Sequence, residues 1–250
     1  MNKKQLIVAW TGIKILAKRI NLLFQGVWIK SSIRKSLGKN LEYIFIFPEF
    51  KKRLLYHPKS FFFKPSKDFF YFCEYKTQKA AEEILTYCGL DKISVKVTYD
   101  YLEAKKDSFE IPAMFRNNPP GKIYQLNQNQ YTIYINNNYH PKVIVAILSH
   151  EISHAYIMSR GIKFQTSSAQ KGKFEEQMTD LATIALGLGR LMIDGHSYSF
   201  REKGIDYTGT VGYLKLGELS YTQALMELRI EQIDSKITKV FDNEGVMKNE

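Results

Sequence analysis

His150-Glu151-Ile152-Ser153-His154 is the stretch whose residue types and spacing could do chemistry. On a helix, side chains four residues apart share a face, so the two imidazoles converge on one point and Glu151 lies beside it. Two neutral imidazoles are good donors to a divalent transition metal, and a carboxylate next to them that is not a donor can carry protons. The surrounding residues predict the helix over 141–161. Pro141 suits a first turn, Val143, Ile144, Ile147 and Leu148 make an apolar stripe at helical spacing, and Gly161 stands where a left-handed cap would end the segment. The same five residues also fit a pair of histidines on a buried helix face, each bonded to a backbone carbonyl. A third donor separates the two readings, because a catalytic zinc takes three protein ligands and leaves its fourth position open.

Such a donor has a place downstream. Phe174-Glu175-Glu176-Gln177-Met178-Thr179-Asp180-Leu181-Ala182 opens a second helix-like run that reaches Met192, and Glu176 and Asp180 would share one of its faces. One carboxylate could complete the donor set while the other accepts a hydrogen bond from a ligating imidazole and fixes its tautomer.

With His-Glu-x-x-His followed by Glu-x-x-x-Asp on the next helix, the chain resembles the thermolysin-like gluzincin class of zinc metallopeptidases over about residues 141–194. The resemblance implies His150, His154 and Glu176 as zinc ligands, Glu151 as general base and Asp180 behind His150. Glu176, not Glu175, takes the ligand role because it stands four residues before Asp180. A metzincin would place a glycine and a third histidine soon after the pair, and Ile157 and Arg160 occupy those positions. The implied activity is peptide-bond hydrolysis with a peptide or protein as substrate.

The elements before the site would position it. Residues 93–99 alternate like a half-buried strand, and 123–126 and 131–135 read as two strands joined by a polar turn over 127–130, leading into the His150 helix. In the resembled class a sheet edge lies along the cleft, where an extended peptide can add by main-chain hydrogen bonds. Residues 117–121 are turn-rich. Residues 68–89 read as a helix, and after the ligand helix Gly187 and Gly189 permit either close packing or a break. The polar stretch 194–212 reads as loop and holds His196, Tyr198 and Arg201, with Tyr207 and Tyr213 close by. These five are the donors available to stabilise an oxyanion, and no motif singles one out. Residues 218–234 read as a helix that closes the domain, and the tail from 241 as frayed.

A chain of 250 residues with 44% hydrophobic and 24% charged content can bury one good core, which excludes a disordered protein. Two cysteines, Cys73 and Cys88, are too few for a disulfide framework and lack Cys-x-x-Cys spacing, which fits a reducing compartment. The formal charge of +11 is concentrated in residues 1–67, where 12 Lys and 3 Arg face only Glu42 and Glu49. Such a segment could meet a membrane surface, nucleic acid or an acidic protein, or could be an ordinary solvated face.

Leu6, Trp10, Ile13, Ala17, Ile20, Phe24 and Val27 follow alternating steps of four and three, the pattern of an amphipathic helix that docks on the protein's own core or lies on a membrane surface. Lys14, Lys18 and Arg19 interrupt it too early for a span, and no small-residue cleavage site follows an uninterrupted apolar core. A cytoplasmic protein is the expectation, with peripheral membrane attachment second and secretion third. Residues 40–72 mix nine phenylalanines with basic residues, a composition that suits core packing or partner contact better than any recognisable nucleic-acid motif.

The expected architecture is therefore α+β. A helical, basic, aromatic-rich region spans 1–67, and a zincin-like domain with a small antiparallel or mixed sheet packed on helices spans 68–250. Without catalysis, the same features describe a zinc-containing binding module whose basic region contacts nucleic acid, anionic membrane or an acidic partner.

Overall fold

Three strands and two long helices build the part of the chain that holds the candidate site. In a computed structural model, residues 30–56, 62–65, 74–99, 120–135, 139–166, 170–202 and 205–246 are described. The amphipathic stretch 5–27, Pro58, Cys73, Asn117 to Pro119 and the last four residues lie outside them. The described chain is α+β, with helices α1 (Ser31–Ile44), α2 (Pro48–Tyr56), α3 (Glu74–Tyr87), α4 (Pro141–Ser159), α5 (Lys171–Ala185), α6 (Gly189–Asp194) and α7 (Leu216–Val246). Its strands are β1 (Ser94–Thr98), β2 (Gly121–Asn127), β3 (Gln130–Ile135), β4 (Ser197–Glu202) and β5 (Ile205–Thr210).

The chain divides into two compact units, Met1–Phe62 with Lys215–Glu250, and Phe63–Leu214. This differs from a boundary after residue 67, because α7, expected to close the catalytic domain, clusters with the N-terminal part. Within that first unit α1 and α7 meet. Leu37, Leu41 and Ile44 on one and Leu219, Met226 and Ile230 on the other are buried at helical spacing. Arg229 pairs with Glu42 at 2.6 Å and lies over the Phe45 ring at 4.5 Å. The ion pair is exposed and contributes under about 1 kcal/mol, so the apolar stripes hold these helices together.

In the second unit, β1, β3 and β2 form a mixed sheet in that order, β1 parallel and β2 antiparallel to β3. Strand alternation decides its inner face. Val95 and Val97 of β1 and Tyr131, Ile133 and Ile135 of β3 are buried, while Ser94 and Lys96 are exposed. Helix α4 lies under the sheet and is buried on nearly every side from Val143 to Ile157, which a helix tolerates only when packed all round. His140 caps its start, accepting from Lys142 N through Nδ1, and Pro141 follows at the first position. Its end is a left-handed cap at Gly161, with Gly161 N bonded to Met158 O and Ile162 N to Ile157 O.

The second apolar run is two helices, not one. At Gly187, with φ of 86°, the chain leaves α5, and Leu188 N returns to Thr183 O. This settles the choice between close packing and a break in favour of the break. The polar stretch after α6, expected as loop, is instead a two-stranded hairpin in which β4 pairs antiparallel with β5. Its alternation of Tyr198 and Phe200 with serines and Arg201 is too short and too polar to read as a strand without its partner. Among the described residues, no helix is long and apolar enough to cross a membrane.

Candidate metal centre

Helices α4 and α5 lie side by side in the second unit, and their facing residues meet at one point. His150 Nε2, His154 Nε2 and Glu176 Oε2 lie 3.1 Å from one another in all three pairings. A tetrahedral zinc with bonds of about 2.0–2.1 Å needs donors about 3.3 Å apart, so this triangle accepts the ion after shifts of about 0.2 Å. Among the described residues, these three form the cluster of His, Cys, Asp or Glu suited to a metal. Glu175 turns away and pairs with Lys171 at 3.8 Å, which leaves the donor role to Glu176.

The donor set is graded from the core outward. The His150 side chain is 7% exposed, His154 22% and Glu176 31%, so one side of the triangle opens to solvent and could admit a fourth ligand. Glu151 stands next to the triangle, buried, with the Ile123 backbone N–H donating toward its carboxylate. Burial pushes its pKa up, against the opposing charges of His150 and His154, so it sits closer to neutrality than an ordinary carboxyl. That is the direction a proton carrier at neutral pH requires. Strand β2, an outer strand of its sheet among the described residues, passes so close to α4 that a side chain at Gly121 would overlap Ile147.

Asp180 is fully buried between the two helices and the hairpin's exit. Its Oδ1 lies 2.9 Å from His150 Nδ1, and its Oδ2 accepts from Tyr213 N at 2.6 Å and Leu214 N at 2.7 Å. Distance and opposite charge make His150 Nδ1 and Asp180 Oδ1 each other's partner. The two backbone donors converge because Gly212, with φ of 80°, turns the chain over Asp180, and any side chain there would overlap that carboxylate and Met192. His196, one of the five candidate donors, is buried and committed to Leu214 O at 2.9 Å, so it steadies this loop. Tyr198 meets the Tyr139 ring edge to face, with centroids 4.8 Å apart.

Tyr213 lies near enough to the site to feel its carboxylates. It is 51% exposed, and burial of its phenol followed by the charges of Glu176, Asp180 and Glu151 raises its pKa, so it keeps its proton and can donate it. Lys122 on β2, which its sequence context did not single out, also feels Glu151 and Glu176. Burial lowers its pKa and those two carboxylates oppose the shift.

The charges around His150 are arranged for a cation. Burial alone would lower its pKa, but Asp180, Glu176 and Glu151 reverse that and hold it well above the ordinary imidazole value. Burial would raise Glu176, yet bonding to His150 and His154 holds it well below the usual carboxylate range. Without a metal, a proton on His150 satisfies the triangle. With one, the metal replaces that proton. No protein-family model, curated protein or solved structure matches the chain, so the site is read from its own geometry.

Two predictions follow from this charge balance. Because the folded His150 pKa is raised, the metal-free site holds its proton to higher pH than a free imidazole would. Apparent zinc affinity should therefore climb with pH until it passes that raised value and level off above it, with Glu176 ionised throughout. Calorimetric titrations in buffers of different ionisation enthalpy should show about one proton released per zinc at pH 7. Gly212→Ala should strain the left-handed turn and crowd Asp180, lowering the stability of the metal-free protein by roughly 1–3 kcal/mol and weakening zinc binding. A melting temperature equal to wild type would contradict that role for Gly212.

Proposed function

We propose that the protein is a zinc-dependent metallopeptidase, a hydrolase of peptide bonds in peptide or protein substrates. The observation that carries this reading is the triangle of His150, His154 and Glu176 with the buried Glu151 carboxylate beside it and Asp180 behind His150. Structural zinc sites close around four protein ligands, whereas three donors and a solvent-facing side suit catalysis. The likeness of both helix motifs to gluzincins points the same way.

Zinc held by His150, His154 and Glu176 would supply Lewis-acid polarisation of a carbonyl and would acidify a water in the open position. Glu151 takes the proton of the attacking water and passes it to the leaving amine, a task that its upward-shifted pKa favours. Asp180 holds the His150 ring, and through it one corner of the triangle, in a fixed orientation. Tyr213, whose raised pKa keeps its phenol protonated, would be the donor to the developing oxyanion in this reading. Strand β2, outermost in its sheet among the described residues, would be the edge along which an extended peptide adds as a further strand. A zincin-like fold is the architecture that this reading assigns to the second unit.

Glu151→Gln should retain stoichiometric zinc and lose at least about 10²-fold in kcat, whereas His154→Ala should lose both metal and turnover. Digestion of a peptide library, with and without a chelator and after zinc is restored, is the measurement. Undiminished cleavage by zinc-loaded Glu151→Gln, or cleavage insensitive to chelation, would rule the mechanism out.

A further inference from the structure

His150 has Asp180 behind it, but the second imidazole needs an orienting partner of its own if its Nε2 is to reach a metal. Glu175 stands beside Glu176 and points to Lys171, so it does not serve. On the next turn of α5, Thr179 is 2% exposed, and its Oγ1 lies 3.4 Å from His154 Nδ1. The hydrogen count favours one direction for that contact. A threonine hydroxyl has a single hydrogen, and Thr179 spends it on the Glu175 carbonyl at 3.0 Å. Lone pairs on Oγ1 then face the ring and accept from an Nδ1–H, the arrangement that frees Nε2 for a metal at the point it shares with His150 and Glu176.

We infer that Thr179 is a positioning residue for the metal, acting through His154 by selecting the tautomer whose Nε2 can bind zinc. The inference rests on the metal-binding part of the reading above and is independent of catalysis. Thr183, one turn further along α5, provides an internal contrast. Its Oγ1 lies 2.9 Å from Ser153 Oγ and 2.8 Å from Thr179 O, so it ties α5 to α4 without touching an imidazole. Ser153 in turn donates to Ser149 O at 2.7 Å. These small hydroxyls occupy the buried seam between the helices, and of these Thr179 is the one that lies against a donor ring.

Zinc affinity measured by competition with a chromophoric chelator tests this on the full chain. Thr179→Val should bind zinc about tenfold more weakly, the lower end of what a positioning partner of a ligand contributes, since the contact is long and its acceptor uncharged. Thr179→Ser should restore near wild-type affinity. Thr183→Val should lower the melting temperature yet leave affinity within about twofold.

A second readout needs no variant. In the zinc-loaded wild type, nitrogen-detected NMR of His154 should show zinc on Nε2 and a hydrogen on Nδ1 sheltered from exchange. Zinc on His154 Nδ1, equal affinity of Thr179→Val and wild type, or equal losses in Thr179→Val and Thr183→Val would overturn the role of Thr179 while leaving the metal site standing. Failure of the wild type to bind zinc would remove the metal site and this inference together.

Discussion

A buried carboxylate holds the second unit of this protein in register. Asp180 has no exposure, and around it meet an imidazole from α4, two backbone amides from the loop at Gly212 and the body of α5 that carries it. Each charge-assisted bond to such a group contributes on the order of 1.5–3 kcal/mol, and stripping one partner from a buried charge typically costs about 3–5 kcal/mol. Against a total stability of about 5–15 kcal/mol for a domain, that is a large share for one side chain. The same contact fixes His150. Fold and site are thus coupled at one atom pair, and a change that loosens the hairpin's exit reaches the metal ligands without touching them.

Around that anchor, two helices act as a rigid frame for opposing charges. Three electron-rich atoms held 3.1 Å apart repel unless a cation lies among them, and a stable apo state must borrow a proton to fill that role. The raised His150 pKa and the depressed Glu176 pKa are two views of this tension. Burial pushes both Glu151 and Glu176 upward, but only at Glu176 do bonds to His150 and His154 override it, so the two carboxyls end up on opposite sides of the ordinary value. Environment, not residue type, separates a donor from a proton carrier here.

Much of this was legible in the residues. Periodicity and punctuation mark α4 from Pro141 to its cap at Gly161, alternation marks β1 and β3, and four-residue spacing pairs Glu176 with Asp180. Those signals are local, and local signals survive in a linear string. What escaped is long-range or chemically ordinary. The hairpin of β4 and β5 is polar and gains its identity from cross-strand pairing. Gly212 is one of many glycines until Asp180 is seen beneath it. Thr179 reads as a small filler on a buried face until its hydroxyl is found against His154. The grouping of α7 with the N-terminal helices depends on matching two apolar stripes separated by most of the chain, which no window of sequence displays. Tyr213 was one of five equal candidates, and the folding of its loop onto Asp180, which brings its backbone to the site, is visible only in three dimensions.

The central claim is that three side chains from two adjacent helices converge on one divalent ion. Zinc-edge X-ray absorption on the zinc-loaded full chain tests it most directly, together with the Glu176→Ala variant. The account predicts two imidazoles and one carboxylate oxygen at about 2.0–2.1 Å with a further light-atom ligand, and loss of one oxygen shell in the variant. A spectrum with fewer than two imidazoles, or one unchanged by removal of the Glu176 carboxylate, would contradict it.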